Sequence, residues 1–245
     1  MNAVTATKNK PSSREKTLID IKNVWKTYTM GETKVHALRG LNLTVKRGEF
    51  LAVMGPSGSG KSTAMNMIGV LDRPSSGTIK LEGKDINRFS ESRLAQIRGQ
   101  KIGFIFQKFN LINTLTAKEN VMLPLMFQRT SEEKRQRKAE ELLELVDLGN
   151  RMDHKPSELS GGQQQRVAIA RALAVDPEVI LADEPTGNLD STTGDTVMDF
   201  LRKLHDKEGK TIIMVTHDEE VAQFADRVEH LRDGQIVKTS NKNNN

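Results

Sequence analysis

The sequence predicts an α/β fold built around a parallel β-sheet. Short, almost continuous apolar runs, which are typical of strands buried on both faces, alternate with longer segments of helical pattern. One such run, at residues 50–54, leads directly into a glycine-rich loop and then into a helical stretch. The 245 residues are sufficient for one large domain or two small ones with a substantial core.

The strands follow from β-prone runs between turn signals. Two are predicted before a turn at Lys46-Arg47-Gly48, and the third is the buried run that follows this turn. Near the C-terminal end, an Asp233-Gly234 turn between residues 227–231 and 235–237 predicts a β-hairpin, because Asp-Gly favours a tight two-residue turn. Before this hairpin, strands are predicted at 17–24, 35–45, 50–54, 77–81, 102–106, 179–182 and 211–215.

The helical pattern is strongest at residues 131–148. Apolar side chains recur there at helical spacing, at Ala139, Leu142, Leu143 and Val146. Glu133 and Arg137 are four residues apart on the polar side, and charge runs of this kind are usually the solvated face of a helix. The whole stretch 108–172 lacks good strand candidates, so we predict that it is a helical insertion into the α/β fold.

The chain is basic, with 37 Lys and Arg against 32 Asp and Glu and a net charge of +5. All of this charge lies at the two ends, since residues 1–16 carry +3, residues 238–245 carry +2 and residues 17–237 are formally neutral. Both ends are polar, so we predict disordered tails at 1–16 and 238–245 around a single domain at 17–237. A neutral domain disfavours a groove that tracks nucleic-acid phosphates.

Two classes of protein are disfavoured by what the sequence lacks. There are no cysteines, which excludes disulfides and thiolate metal sites and is compatible with the cytosol. No apolar run approaches the ~20 residues that span a bilayer, and the N-terminus has no apolar segment typical of a secretory signal. We therefore expect a chain without its own membrane anchor.

The loop after residues 50–54 has the G-x-x-x-x-G-K-[S/T] pattern of phosphate-binding loops. Its glycines let the backbone wrap a polyphosphate with the N–H groups pointing inward, and the helix start behind it adds partial positive charge. Lys61 would reach the β- and γ-phosphates, and the Ser62 hydroxyl would coordinate Mg²⁺. A merely flexible Gly/Ser loop is the alternative, but it does not account for the strand before the loop and the helix after it. The loop consists of Gly55, Pro56, Ser57, Gly58, Ser59, Gly60, Lys61, Ser62 and Thr63.

Two carboxylates, Asp183 and Glu184, end the apolar run at 179–182. Asp183 is placed at the tip of this predicted strand to hold Mg²⁺ through water, and Glu184 can polarise a water molecule for attack on a γ-phosphate. An acidic pair after a strand is a weak indication alone, since most such pairs are caps or loop charges. Together with the phosphate-binding loop, the pair indicates nucleotide hydrolysis.

A second helix start is predicted at Leu159-Ser160-Gly161-Gly162-Gln163. Ser160 and Gln163 have the spacing of a capping box, which predicts that a helix begins here. A cap alone does not need two glycines, whereas Gly161 and Gly162 would let a phosphate approach the exposed backbone N–H groups. The chain thus has two candidate anion-binding helix starts but one nucleotide loop.

Taken in this order, the phosphate-binding loop, Leu-Ser-Gly-Gly-Gln and Asp-Glu resemble the motifs of the ATP-binding cassette (ABC) ATPases over about residues 17–237. The resemblance implies the ABC ATPase fold, which is a RecA-like P-loop NTPase core with an antiparallel β subdomain and a helical subdomain. By this resemblance, residues 17–107 and 173–237 would form the core and β subdomain, and 108–172 the helical subdomain. It also implies ATP and Mg²⁺ as cofactors and the hydrolysis of ATP to ADP and phosphate.

The resemblance further implies roles for four side chains. Tyr28 matches the aromatic residue that stacks on adenine, and Gln107 matches the glutamine that contacts Mg²⁺ and the attacking water. Asp190 matches the acid of the loop that crosses the dimer, and His217 matches the switch histidine that touches the γ-phosphate. Tyr28 could instead be an ordinary strand aromatic, since Trp25 is nearby. The other histidines match nothing and are interpreted as structural or surface residues: His36, His154, His205 and His230.

Cassettes of this family pair head-to-tail, so the resemblance implies a homodimer that forms on ATP binding. Each ATP would lie between the phosphate-binding loop of one chain and the Leu-Ser-Gly-Gly-Gln of the other, with Ser160 and Gly162 reaching the γ-phosphate. This arrangement explains why one chain carries two anion-binding helix starts. No nucleic-acid partner is expected.

Within the family, residues 160–173, 181–191 and 106–125 look like the branch of macrolide export and lipoprotein release. In that branch the membrane subunit is often a separate chain, which implies a transmembrane permease as partner and a peripheral position on the cytoplasmic face of the cell membrane. Two alternatives stay open: a cell-division-type cassette that signals mechanically without moving a substrate, and a soluble ABC ATPase that acts on DNA or ribosomes. A binding-only cassette is disfavoured because Glu184 and His217 are both present.

In the family, the segment after Gln107 faces the membrane partner. Here this segment contains the apolar stretch 121–127, whose methionines could line an adaptable docking groove. The alternative, that these side chains fill the core of the helical subdomain, stays open at this point.

Overall fold

The computed structural model describes residues 17–242. The predicted tail at 1–16 and the last part of the predicted C-terminal tail, residues 243–245, lie outside this range. The prediction was wrong for residues 238–241, because strand β10 runs over Gln235–Asn241 and pairs with the strand before it. This strand lies at the edge of its sheet and is mostly exposed, so its polar composition conceals it from pattern analysis.

Within residues 17–242 the strands form two sheets. The first is antiparallel, has the order β2-β1-β4-β5, and consists of β1 (Thr17–Met30), β2 (Thr33–Lys46), β4 (Ser76–Leu81) and β5 (Lys84–Asp85). The second contains β3 (Phe50–Met54), β6 (Ile102–Ile105), β7 (Val179–Asp183), β8 (Thr211–Thr216), β9 (Arg227–Arg232) and β10. Its order is β10-β9-β3-β8-β7-β6, and all of its neighbouring pairs are parallel except β10 with β9.

The first two strands are longer than the β-prone runs that predict them. In β1 the pairing with β2 shifts register between Ile21 and Val24, and Asn23 has a positive φ of 46°. Lys22 and other polar residues occupy the exposed face of this sheet. Bulges and an exposed face both weaken the alternating apolar pattern, so the sequence signal stops before the strand does.

Helices cover the six-stranded sheet and fill the segment between β6 and β7. Their bounds are α1 Lys61–Ile68, α2 Glu91–Lys101, α3 Ala117–Met126, α4 Glu132–Leu145, α5 Gly161–Leu173, α6 Ser191–Glu208 and α7 Glu219–Ala222. Helices α3, α4 and α5 pack against one another, and the helix predicted at 131–148 is confirmed as α4, with Glu133 and Arg137 paired at 2.5 Å. Among residues 17–242, no helix combines the length and apolar character needed to cross a bilayer.

The central strands are buried on both faces, as their continuous apolar composition predicts. In β3, Phe50 and Ala52 belong to one hydrophobic core, whereas Leu51 and Val53 belong to another. All six residues of β8 are buried, and they divide in the same alternating way. The first core includes side chains of α3 to α6, and the second includes α1, α2 and the antiparallel sheet.

Parallel pairing brings the residues of chemical interest to one edge of the six-stranded sheet. The phosphate-binding loop follows β3, Gln107 follows β6, Glu184 follows β7 and His217 follows β8. Since β6, β7, β8 and β3 are parallel neighbours, their carboxyl ends meet at this edge. Open α/β sheets bind ligands at this position.

Candidate active site

A cavity of about 920 Å³ opens at the carboxyl ends of β3 and β8. The phosphate-binding loop forms one wall and contributes all of its members except Ser59. Glu184 and His217 line the cavity from the ends of β7 and β8, and the β9–β10 hairpin closes a third side. The fold therefore brings the loop together with two of the three predicted catalytic residues.

The loop glycines are required for two different reasons. A Cβ on Gly55 would lie 2.2 Å from the Leu231 carbonyl oxygen, and one on Gly60 would lie 2.5 Å from that of Ala37, so neighbouring backbone excludes any side chain there. Gly58 has open space around it but a φ of 78°, which favours glycine for conformational reasons. The loop is consequently packed at both ends and open in the middle, where backbone N–H groups can face a ligand.

The turn of the β9–β10 hairpin supports the far end of the loop. Gly234 N–H donates to the Ser59 carbonyl at 2.9 Å, and the Gly234 carbonyl accepts from Arg39 N–H in β2 at 3.0 Å. A Cβ on Gly234 would lie 2.8 Å from the Ala37 carbonyl oxygen. The predicted Asp-Gly turn is confirmed, and it joins the loop to the antiparallel sheet.

Lys61 is the first residue of α1 and is buried within the loop, with 8% of its surface exposed. Its Nζ donates to the carbonyl oxygens of Gly55 at 2.7 Å and Pro56 at 2.9 Å. The loop's own backbone thus holds the ammonium at the wall of the cavity. A cation held there can meet phosphate oxygens that enter from the open side.

Asp183 and Glu184 have different surroundings although they are adjacent. Burial raises the pKa of the Asp183 carboxyl, the negative charge of Glu184 raises it further, and Lys61 opposes both effects. Glu184 has a positive φ of 44°, and its N–H donates to the Val215 carbonyl at 2.9 Å. This turn directs Glu184 into the cavity, whereas Asp183 does not line it.

His217 is the partner of Glu184. Its Nδ1 donates to Glu184 Oε1 at 2.9 Å. The His217 side chain is 63% exposed, against 21% for Glu184, so the histidine lies on the solvent side of the pair. A carboxylate oriented in this way can accept a proton from a water molecule in the cavity.

Gln107 lies beside the loop that follows Glu184 and does not line the cavity. Its carbonyl accepts from Asn188 Nδ2 at 2.7 Å, and a Cβ on Gly187 would lie 2.7 Å from Gln107 Nε2. The absence of a side chain at Gly187 thus gives room for the amide group of Gln107 in this position. An amide oxygen here is a suitable donor for a cation such as Mg²⁺.

The start of α5 lies outside the residues that line the cavity. The predicted capping box is confirmed, because Ser160 Oγ accepts from Gln163 N–H at 3.3 Å and Gln163 Oε1 accepts from Ser160 N–H at 2.9 Å. Besides the predicted approach of phosphate, packing also favours glycine at position 162. A Cβ there would lie 2.2 Å from Thr193 Cγ2 in α6. Gly161 has no such restriction, because its Cβ would make only ordinary contacts at 3.6 Å or more.

Asp190 is the N-cap of α6. Its Oδ1 accepts from Thr193 N–H at 3.0 Å, and the hydrogen bonds with Thr193 lower the pKa of the Asp190 carboxyl. The side chain also lines a small second cavity of about 280 Å³ between α6 and α7. The structure gives Asp190 a local capping role at the surface next to the start of α5.

Tyr28, the predicted adenine-stacking residue, lies outside the cavity and makes polar contacts of its own. Its hydroxyl donates to Asp72 Oδ2 at 3.2 Å, and Lys26 Nζ lies 5.0 Å from the centre of its ring. The ring does not line the cavity. Lys26 also donates to Asp72 at 2.7 Å, so the three side chains form one polar cluster on the antiparallel sheet.

Three residues with ionisable side chains line the cavity without being predicted as site residues from the sequence. Glu219, His230 and Arg232 line the cavity, although the sequence interpretation assigns His230 to the structural or surface residues. His230 lies opposite Met54 because β9 pairs in parallel with β3. Only this long-range register places the histidine next to the loop, and the sequence carries no local signal for it.

A family profile described as ABC transporter matches residues 38–187, which is more than half of the chain. The chain belongs to the ABC transporter family. Similar proteins include an ABC transporter ATP-binding protein of Thermotoga maritima, which is 52% identical over 221 residues that cover 90% of this chain and 94% of that protein. The macrolide export ATP-binding/permease protein MacB of Aggregatibacter actinomycetemcomitans is 49% identical over 225 residues, but these cover 92% of this chain and only 35% of MacB.

Solved ABC cassettes share the fold. The dimeric cassette MJ0796 of Methanocaldococcus jannaschii, in a post-hydrolysis state bound to ADP and Pi, has a TM-score of 0.86 and 49% identity. The match covers 93% of this chain and all of that chain. The comparisons confirm the predicted ABC ATPase fold and the resemblance to ABC ATP-binding subunits, with macrolide-export proteins among the relatives.

The ABC transporter profile covers only part of the candidate site. It contains the phosphate-binding loop, Gln107, the start of α5 and Glu184, but it ends before Asp190 and His217. Asp190 is positioned as the cap of α6, and His217 by its hydrogen bond to Glu184.

Proposed function

We propose that this ABC subunit hydrolyses ATP in the 920 Å³ cavity, dimerises around two ATP molecules and drives a separate transmembrane permease of the macrolide-export or lipoprotein-release type. One observation carries the proposal. The loop that holds Lys61 and the hydrogen-bonded pair of Glu184 and His217 face the same cavity. A cation and a helix start on one wall suit a polyphosphate, and a carboxylate on another suits activation of water.

Three oxygen-bearing side chains fit a magnesium ion. Ser62 is the second residue of α1, Asp183 ends β7, and Gln107 follows the neighbouring strand β6. Oxygen donors of this kind are the ligands that Mg²⁺ prefers, together with phosphate oxygens and water. When bound, the ion supplies positive charge that stabilises the phosphates during transfer.

The protein's own groups then divide the work of hydrolysis. Lys61 binds the β- and γ-phosphates and the N–H groups of the loop orient them. Glu184 accepts the proton of the attacking water, and His217 holds the Glu184 carboxylate through Nδ1. Because His217 is the more exposed of the two, it is also the group placed to contact a γ-phosphate from the outer side.

The proposed dimer is supported by the position of the start of α5. Ser160 and its glycines do not line the cavity of their own chain, so they would reach a γ-phosphate in the cavity of a second copy. Two such contacts related by a two-fold axis give two equivalent sites. The dimeric state described for the similar MJ0796 cassette supports this arrangement.

A separate permease is supported by the relatives and by one surface. MacB is named as an ATP-binding/permease protein, and this chain matches only 35% of its length. In the stretch 121–127, Val121 and Leu125 are buried in the core, whereas Met126 and Phe127 are 55% and 83% exposed. One end of the stretch thus fills the core of the helical subdomain, and the other end is exposed. We assign the exposed end to docking of the permease at the cytoplasmic face of the membrane.

The decisive variant is Glu184→Gln. It removes the proton acceptor but keeps the shape of the side chain, so we expect nucleotide binding to persist, turnover to fall by roughly 100-fold or more, and an ATP-bound dimer to accumulate. Turnover is measured as phosphate release, and the dimer by size-exclusion chromatography with ATP.

Glu219→Gln is the matched control. Glu219 also lines the cavity, but unlike Glu184 it has no hydrogen bond to His217. We expect this variant to retain turnover and to stay monomeric after ATP is consumed. If Glu184→Gln hydrolyses ATP like the wild type, or if both variants lose activity equally, the proposed role of Glu184 is wrong.

A further inference from the structure

Arg171, near the C-terminal end of α5, holds the chain that follows Gln107. Its Nη1 donates to the Asn110 carbonyl at 2.5 Å, and its Nη2 donates to the Phe109 carbonyl at 2.7 Å. Burial lowers the pKa of the guanidinium, and within residues 17–242 no carboxylate forms an ion pair with it. A partly buried arginine whose partners are both carbonyls loses hydration without gaining an ion pair, which is costly unless its position serves a purpose.

The two carbonyls belong to a strained turn. Phe109 and Asn110 have positive φ values of 35° and 51°, and Asn110 N–H donates to the Lys108 carbonyl. Left-handed backbone is unfavourable for residues with a Cβ, and for Phe more than for Asn. Such a conformation persists only where surrounding groups hold it, and the planar fork of Arg171 supplies two donors in fixed geometry.

The same helix touches the candidate site in two more places. Gln165, which is fully buried, donates from Nε2 to the Pro185 carbonyl at 2.6 Å, one residue after Glu184. At the other end of α5, a Cβ on Gly161 would lie 3.8 Å from the ring tip of Phe109. The last turn of α5 therefore binds the turn after Gln107 through Arg171, and the first turn of α5 lies close to it at Gly161.

We propose that Arg171 is a positioning residue for hydrolysis, which holds the strained turn at 108–110 and thereby keeps Gln107 in its working position. Arg171 itself does not touch the cavity. Since Arg171 and Ser160 are on the same helix, the contact also ties Gln107 to whatever binds at the start of α5. The inference rests on the proposed function, because it assigns the arginine a part in that reaction.

Arg171→Lys tests the contact with its charge preserved. Lysine replaces the planar two-nitrogen fork with a single ammonium and so cannot reproduce the two-point geometry, and we expect kcat for ATP to fall by roughly 10- to 100-fold with little change in KM. The matched control is Arg98→Lys on α2, because Arg98 Nη1 donates at 2.9 Å to the carbonyl of Val70, which also has a positive φ of 57°. Equal effects of the two substitutions on kcat would overturn the proposal.

A double-mutant cycle separates positioning from general stability. If Arg171 acts through Gln107, Arg171→Lys should cost little further activity in a chain that already carries Gln107→Ala. A full additional loss in that background would show that Arg171 acts on something else. Asn110→Pro breaks the same turn from the exposed side, since proline cannot adopt a positive φ, and it should lower kcat with Arg171 intact.

Amide hydrogen exchange tests the contact without any activity. We expect Arg171→Lys to speed exchange at residues 108–112 while the midpoint of thermal unfolding stays close to that of Arg98→Lys. Unchanged exchange at 108–112 would overturn the proposal. If the wild-type chain hydrolyses no ATP but the exchange effect is present, the proposed function fails and the anchoring by Arg171 stands.

Discussion

The two helix starts that the sequence marks as anion sites, those of α1 and α5, are built in opposite ways. Helix α1 follows the left-handed Gly60 and has no side-chain cap, so its first N–H groups are available at the cavity wall. Helix α5 begins with a complete capping box. An uncapped start leaves donors that a ligand can satisfy, whereas a capped start is stable alone. Under the proposed function, the start of α1 would hold the nucleotide of its own chain, and the preformed start of α5 would contact the nucleotide of the second chain.

Lys61→Ala should have the largest effect, because it removes the cation from the uncapped start. Losing a charged hydrogen bond to phosphate costs about 1.5–3 kcal/mol, so we expect nucleotide affinity to fall by roughly 10- to 100-fold. Titration calorimetry with ATP measures this. Lys118→Ala is the control, because Lys118 lies in the first turn of another helix, α3. This variant should leave the affinity for ATP unchanged. Unchanged ATP binding in the Lys61 variant would contradict the proposal that the start of α1, unlike that of α5, binds the nucleotide of its own chain.

Ser160→Ala should have a smaller and different effect. It removes the cap of α5, which costs about 1 kcal/mol of stability, and the hydroxyl that would face the second chain. In the Glu184→Gln background we expect ATP binding to the monomer to persist while the ATP-dependent dimer weakens. Analytical ultracentrifugation with ATP separates the two quantities.

Helix α3 supplies the control for this loss of a cap. Thr116 and Glu119 form the same capping box there, and neither residue lines the cavity or belongs to the predicted nucleotide contacts. Thr116→Ala should cost similar stability and leave dimerisation intact. If both substitutions weaken the dimer alike, the start of α5 affects dimerisation only through protein stability. The proposed contact of Ser160 with the ATP of the second chain is then wrong.

Deleting residues 1–16 should have the smallest effect. These residues carry +3 of the net charge but neither helix start, so ATP turnover should stay close to that of the full chain. Steady-state kinetics at low salt, where general charge effects are largest, is the sharpest comparison. A large loss of ATP turnover would show that the positive charge of residues 1–16 contributes to anion binding in addition to the two helix starts.

Features set by neighbours in sequence were predictable. The capping box at Ser160, the Asp233-Gly234 turn and the buried strand at 50–54 each depend on residues within a short window, and the structure shows them where the pattern places them. Their physical causes are local: a side chain reaching the next turn, a positive φ and a continuous apolar run.

Features set by distant pairing were not predictable. His230 lies at the cavity because β9 pairs with β3 across most of the chain, and no local signal specifies that register. Gly162 was interpreted through phosphate alone, although Thr193 of α6 excludes a side chain there. The edge strand β10 has a polar sequence that resembles a tail, and its partner strand reveals it as structure.

The hairpin turn that supports the phosphate-binding loop has a consequence for how the protein is made. Gly55 packs against Leu231, and Ser59 accepts from Gly234, a residue 175 positions later. A nascent chain emerging from the ribosome therefore has the glycine-rich motif before its supporting wall, which follows only after 175 further residues have been made. Contacts this remote in sequence form late in folding, so ATP cannot be captured by a half-made subunit in the way that the finished subunit would hold it.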